Sequence, residues 1–173
     1  DFHLERALLY GYVNDVKEEN NLFWLGTGDE GLVRYKDNTA QATYRPEGPN
    51  SNTSYRLRIF GNKLYMLPGG RWATQNLRMG EIMIYENGSW TNIKNGTLVE
   101  QLGNIPVYDI MNVAQDPNDS KHYFVTTFGT GMLEMQGEKV VKHYTPNNSN
   151  LIAAAPDNPA LYTRTDGIMY DDK

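Results

Sequence analysis

Along most of the chain apolar and polar residues alternate in short runs, and each run stops at a cluster of turn-forming residues. A period of two is the signature of a strand, because successive side chains face opposite sides of a sheet. Leu8 to Val13, Leu22 to Thr27, Gly31 to Tyr35, and the run marked by Ala40, Ala42 and Tyr44 read as four strands. In the third, Val33 and Tyr35 share one face while Leu32 and Arg34 share the other. Glu18-Glu19-Asn20-Asn21, Gly28-Asp29-Glu30 and Lys36-Asp37-Asn38 supply the turns between them.

The same order returns 100 residues later, as Tyr108 to Val113, His122 to Thr127, Gly131 to Met135 and Lys139 to Tyr144. Phe23–Tyr35 lies over Tyr123–Met135 without a gap. The alignment extends outward to Val13 over Val113, Tyr44 over Tyr144, Pro46 over Pro146 and Asn50 over Asn150. A third unit sits between the copies: Tyr55 to Phe60, Lys63 to Leu67, Glu81 to Tyr85 and Ser89 to Ile93. Gly61-Asn62 and Asn87-Gly88 read as hairpin turns, because both residue types tolerate positive φ. Another unit begins near Leu151, where Leu161-Tyr162-Thr163-Arg164 is similar to Leu64-Tyr65-Met66-Leu67.

Tandem four-stranded units of about 50 residues are the mark of an all-β, β-propeller architecture. The expected antiparallel blades cover residues 7–50, 51–100, 105–150 and an incomplete 151–173. That makes about 3.75 blades, a fragment of a larger ring with almost no helix and with open blade ends that favour self-association. Val33, Tyr35, Leu133, Met135, Ile82, Ile84, Trp24 and Phe124 fall in equivalent strand slots and are the predicted blade-to-blade core. Gly31 and Gly131 mark places where a side chain would obstruct a turn or a neighbour.

Composition agrees with this reading: 12 Tyr, 5 Phe, 3 Trp and 16 Gly suit many short strands. A net charge of −5 argues against a nucleic-acid partner. No apolar run approaches the roughly 18 residues of a membrane-crossing helix. With no Cys there are neither disulfides nor thiolate metal sites. The chain opens on Asp1, which suggests a processed or excised piece.

Chemistry-bearing patterns are sparse. His3, His122 and His143 fall far apart in the blade plan, which speaks against a metal site and for surface or edge histidines. Asp29-Glu30 and Asp116, Asn118 and Asp119 are turn residues lacking the spacing of a calcium loop. Gly26-Thr27-Gly28-Asp29-Glu30-Gly31 imitates a nucleotide-binding glycine pattern, but it joins two strands and has no helix to hold a pyrophosphate. No catalytic residue, metal or cofactor is expected. The candidate ligand-binding residues are Arg71, Trp72, Gln75, Asn76 and Arg78 in the Arg71–Met79 loop. This connection is about ten residues long where its counterparts use about three, and extra loop length often carries function. Arg forks phosphate or carboxylate, and Trp stacks on a sugar face.

Phe23-Trp24-Leu25-Gly26-Thr27 followed by Gly31-Leu32-Val33-Arg34-Tyr35 resembles the two-component regulator propeller repeat. Several further segments narrow the resemblance: Gly69-Gly70-Arg71-Trp72, Gly80 to Trp90, Asp116-Pro117-Asn118-Asp119, Gly131-Met132-Leu133-Glu134, and Asn148-Ser149-Asn150-Leu151. Together they are similar to the propeller proteins of the Bacteroidetes type IX (Por) secretion system, the PorZ-like family. The resemblance implies an exported, non-enzymatic binding or scaffold module at the periplasmic or outer-membrane surface. It further implies protein partners or an anionic lipopolysaccharide, handled beside a sortase. The alternative it leaves open is the periplasmic, glycan-sensing propeller of a hybrid two-component histidine kinase, a signal-transduction role.

Overall fold

The computed structural model describes residues 13–28, 30–71 and 77–171, and within them the chain is dominated by antiparallel sheet. Sheet one runs β1 (Val13–Glu19), β2 (Leu22–Thr27), β3 (Leu32–Lys36) and β4 (Thr39–Tyr44). Sheet two runs β5 (Arg56–Phe60), β6 (Lys63–Leu67), β7 (Ile82–Glu86) and β8 (Ser89–Ile93). Sheet three runs β9 (Ile110–Gln115), β10 (His122–Gly129), β11 (Met132–Gln136) and β12 (Lys139–Tyr144). Each is a four-stranded meander in chain order, the build of a propeller blade. Helices α1 (Asn95–Gln101) and α2 (Pro159–Tyr162) are short.

Local chemistry explains the meanders. Asn20-Asn21, Asp37-Asn38 and Asn87-Gly88 all take positive φ, between 49° and 88°, as two-residue hairpins require. The duplicated β2–β3 and β10–β11 turns are built identically. The hydroxyl of Thr27 donates to the carbonyl of Gly31 and accepts from the amide of Glu30. Thr127, Gly131 and Thr130 repeat this at 2.8–2.9 Å. Gly31 and Gly131 have φ of +83° and +94°, and a Cβ there would press on the carbonyls of Tyr44 and Tyr144. Only glycine fits.

The chain divides into two compact units between Glu47 and Gly48. In the first, sheet one gathers Leu25, Val33 and Tyr35, flanked by Val13 and Phe23. In the second, sheets two and three enclose a larger core that includes Tyr65, Leu67, Ile82, Ile84, Tyr123, Val125, Leu133 and Met135. Helix α1 contributes fully buried Leu98 to it. Tyr65 and Tyr123 meet with ring centroids 5.3 Å apart, and burial pushes both phenols well above their ordinary range.

Several expectations are corrected. The first described strand is Val13–Glu19, so Glu18 and Glu19 belong to a strand and the turn is Asn20-Asn21 alone. Leu8 to Tyr12 lie outside the described residues. Val16 pairs with Leu25 as Val113 pairs with Val125, so Val16, not Val13, takes the slot of Val113. The three-residue slip arises because the Asp116–Lys121 connection is longer than its counterpart in sheet one. Trp24 and Phe124 are half-buried, because Leu25 and Val125 hold the buried face and their neighbours point the other way. Trp24 packs on Tyr44 instead, and Phe124 on Tyr144 and Tyr170. Leu161 and Tyr162 end a helical turn. Thr163–Arg164 is a two-residue strand (β13) added to the far end of β10, not the second strand of a further sheet.

Candidate functional site

The long β6–β7 connection is closed at its base by the segment of residues 107–110 that leads into sheet three. Two glycines let the chains approach closely: the amide of Gly69 donates to the carbonyl of Ile110 at 3.0 Å, and that of Gly80 to Val107 at 2.9 Å. At either glycine a Cβ would collide with those partners. Between them lies Asp109, only 2% exposed and at φ +50°. Its carboxylate accepts from the amides of Leu77 (2.8 Å) and Arg78 (2.9 Å). Burial raises its pKa, opposed by these two amides and by the Arg78 guanidinium. Arg78 turns inward, and its Nη1 donates to the carbonyls of Pro68 (3.0 Å) and Gly69 (3.2 Å). It braces the two ends of the loop.

Arg71 points the other way. Its side chain is 42% exposed, and Nη1 meets Oδ2 of Asp166 at 3.0 Å. The second oxygen of Asp166 meets Nη2 of Arg56 at 3.2 Å, so one guanidinium from β5 and one from the β6–β7 connection share one carboxylate. Next along β5, Arg58 donates to Oδ1 of Asn112 on β9 at 2.8 Å. Of the five sequence candidates, the structure therefore sets Arg71 on an accessible cationic edge and Arg78 in the loop's base. Trp72, Gln75 and Asn76 lie outside the described residues.

An open groove of about 1100 Å³ borders Arg58 and is lined by Leu57, Ile59, Val113, Ala114, Ile168 and Met169 among others. Leu57, Ile59 and Met169 are strongly exposed.

A second polar centre, not anticipated from sequence, occupies sheet three. His122 opens β10 with Nδ1 3.0 Å from Oδ2 of Asp116 and Nε2 2.9 Å from Oε1 of Glu134. Tyr144 donates to the other oxygen of Glu134 at 2.7 Å, and Tyr170 to Oδ2 of Asp116 at 2.8 Å. Hydrogen bonds from His122, the Asn118 amide and Tyr170 hold the Asp116 carboxyl down at about 2. Glu134 is lowered by Tyr144 and His122. The bonds to Asp116 and then Glu134 raise the imidazole above its usual 6.5. The signal was present in the duplication: the matching slots in sheet one hold Leu22 and Arg34, so the second copy had replaced an apolar and a basic residue with His122 and Glu134. Among the described residues, no group of three or more His, Asp or Glu is placed to hold a metal ion. The other sequence histidine described, His143, makes a single bond from its Nε2 to the carbonyl of Thr130 (2.7 Å).

No family model and no curated protein matches the chain. A solved structure does: PorZ, an essential bacterial surface component of the type-IX secretion system of Porphyromonas gingivalis. The chain is similar to it at 28% identity with a TM-score of 0.77, over 92% of this chain. The match spans 22% of the PorZ chain.

Proposed function

We propose that this chain is a non-enzymatic propeller module that binds and scaffolds within a surface component of a type IX secretion system. The observation that carries the reading is the likeness to PorZ, which runs through 92% of the chain at 28% identity. The polar groups of the candidate site fit the role, since they tie segments together: Arg78 closes a loop, and Asp166 joins Arg56 to Arg71. In this reading the module works at the cell-envelope surface, among protein partners, beside a sortase. Its ligand is an anionic lipopolysaccharide, and Arg71 is the accessible one of the candidate residues described that would meet it. In a protein of net charge −5 such attraction must be local.

The test is a segment exchange. The matching part of PorZ is replaced by this chain in Porphyromonas gingivalis, and cargo secretion is measured. Secretion at or near the wild-type level supports the module's role, and loss of secretion with a stable, surface-exposed chimera overturns it. The ligand is tested separately, by calorimetric titration of lipopolysaccharide into the chain and its Arg71→Ala variant. Equal affinities remove Arg71 from the ligand site.

A further inference from the structure

After β13 the chain crosses sheet three as a strap. Thr165 bonds to the carbonyls of Thr127 and Gly131, and the hydroxyl of Thr126 donates to the carbonyl of Asp166 at 3.1 Å. Ile168 and Met169 then border the groove. Beyond Asp166 the strap has a polar anchor in Tyr170, whose hydroxyl reaches Asp116 and whose ring lies 6.4 Å from that of Phe124.

The geometry at Asp116 depends on a proton. Both ring nitrogens of His122 face carboxylate oxygens, at 3.0 and 2.9 Å. A neutral imidazole has one N–H and one lone pair, so it satisfies only one of the two acids, whereas the imidazolium donates to both. The groups around the ring are Asp116 and Asp119 from the β9–β10 connection, Glu134 from β11, Lys142 and Tyr144 from β12, and Tyr170 from the strap. Two carboxylates bond the imidazole, Asp119 lies near enough to feel its charge while bonding Lys121 and Gln136, and Lys142 acts on Glu134. Losing the imidazolium leaves one of the two carboxylates facing a ring lone pair. Asp116 keeps only its backbone bond to His122 and the Asn118 amide besides Tyr170, so the repulsion falls on the carboxylate that receives the strap. Sheet one supplies an internal control: with Leu22 and Arg34 in these slots, it has no such centre.

We propose that protonated His122 is the latch of this strap, holding Asp116 where it receives Tyr170 and so keeping residues 167–171 closed beside the groove until the ring loses its proton. The sign follows from the raised imidazole pKa. The latch is closed below the ring's folded-state pKa and opens as pH rises through it.

The chain has no Cys, so Met169→Cys gives a single labelling point at a side chain already 88% exposed. A nitroxide there reports strap mobility by electron paramagnetic resonance, and proton NMR of the His122 ring gives its titration in the same protein. The expected result is an NMR midpoint above 6.5 and a rise in label mobility with the same midpoint. Tyr170→Phe is mobile at every pH, and His122→Gln abolishes the pH dependence. Should His122→Gln fail to fold, Glu134→Gln replaces it, and lowers both midpoints together. A midpoint at or below 6.5 overturns the proposal, as does mobility that ignores the ring's titration or changes identically in the His122 and Glu134 variants and the parent.

Discussion

Sheets one and three are two copies of one blueprint with opposite fates. They share strand order, the threonine-glycine turn, and a register irregularity at the same place, between Arg34 and Tyr35 in one and Glu134 and Met135 in the other. Their first strands differ. In β1, Val-Asn-Asp-Val-Lys-Glu-Glu is exposed along nearly its whole length, and Val16 is 40% accessible. In β9, Ile-Met-Asn-Val-Ala-Gln is buried at all but its last residue, and Val113 is 2% accessible. Backbone pairing is thus indifferent to this change of residues, while core membership is not. Hydrogen bonds define the blade, and the residue types on its faces decide what packs on it.

That contrast can be broken in graded steps. The largest effect is expected at Leu133, which is fully buried in the larger core. Leu133→Ala should cost about 3–5 kcal/mol in urea unfolding, as deleted core methyls leave a cavity. A cost under about 1 kcal/mol would mean that this core is looser than its burial implies. Next come the two equivalent valines. Val113→Ala should cost roughly 2 kcal/mol from lost burial and cavity together. Val16→Ala should stay within about 0.5 kcal/mol, as exposed substitutions usually do. Similar costs at both positions would erase the distinction between the sheets.

The smallest effect is the dependence on pH, and it should belong to sheet three. Asp116 has a folded pKa of about 2 against an ordinary 3.8, so its contribution is present above 3.8 and is lost as pH falls toward 2. His122 is shifted up from 6.5, so its contribution is complete below 6.5 and is lost as pH rises through the folded value. Amide exchange at Val125 and Leu133 should therefore be slowest between about pH 4 and 6.5 once intrinsic rates are removed. Sheet one, which has no histidine among its described residues, should show no matching loss on the alkaline side at Leu25 and Val33. His122→Gln should flatten that side in sheet three, and an unchanged profile would detach the histidine from stability.

How far the sequence reached varies with how local each feature is. Leu22–Thr27, Lys63–Leu67, Ser89–Ile93 and Lys139–Tyr144 were legible to the residue, since alternation and hairpin chemistry act over a few neighbours. The first strand ends six residues later than expected, at Glu19 and not Val13, and the match of Val13 to Val113 is out by three because a gap-free alignment ignored a longer loop. Arg71 and Arg78 looked alike as loop cations, yet one is half-exposed beside Asp166 and the other is turned into the carbonyls of Pro68 and Gly69. Helix α1 escaped notice: it lacks a side-chain N-cap bond, and it is held by the burial of Leu98 and by bonds from the Asn95 side-chain Nδ2 to the carbonyls of Gly80 and Val107.

The sequence by itself determined the all-β class, the repeating four-stranded unit, the positions of most strands and the glycines that its turns demand. These follow from the period of two, from φ preferences and from duplication, all readable along a single line. The tertiary structure alone decided that Leu25 and Val125, rather than Trp24 and Phe124, face inward. It also decided that Asp109 clamps Leu77 and Arg78, 32 and 31 residues upstream, and that Asp116, His122, Glu134 and Tyr170 meet at one point. Each of those outcomes depends on partners distant in the chain, whose approach is set by how the sheets pack and not by any neighbouring residue.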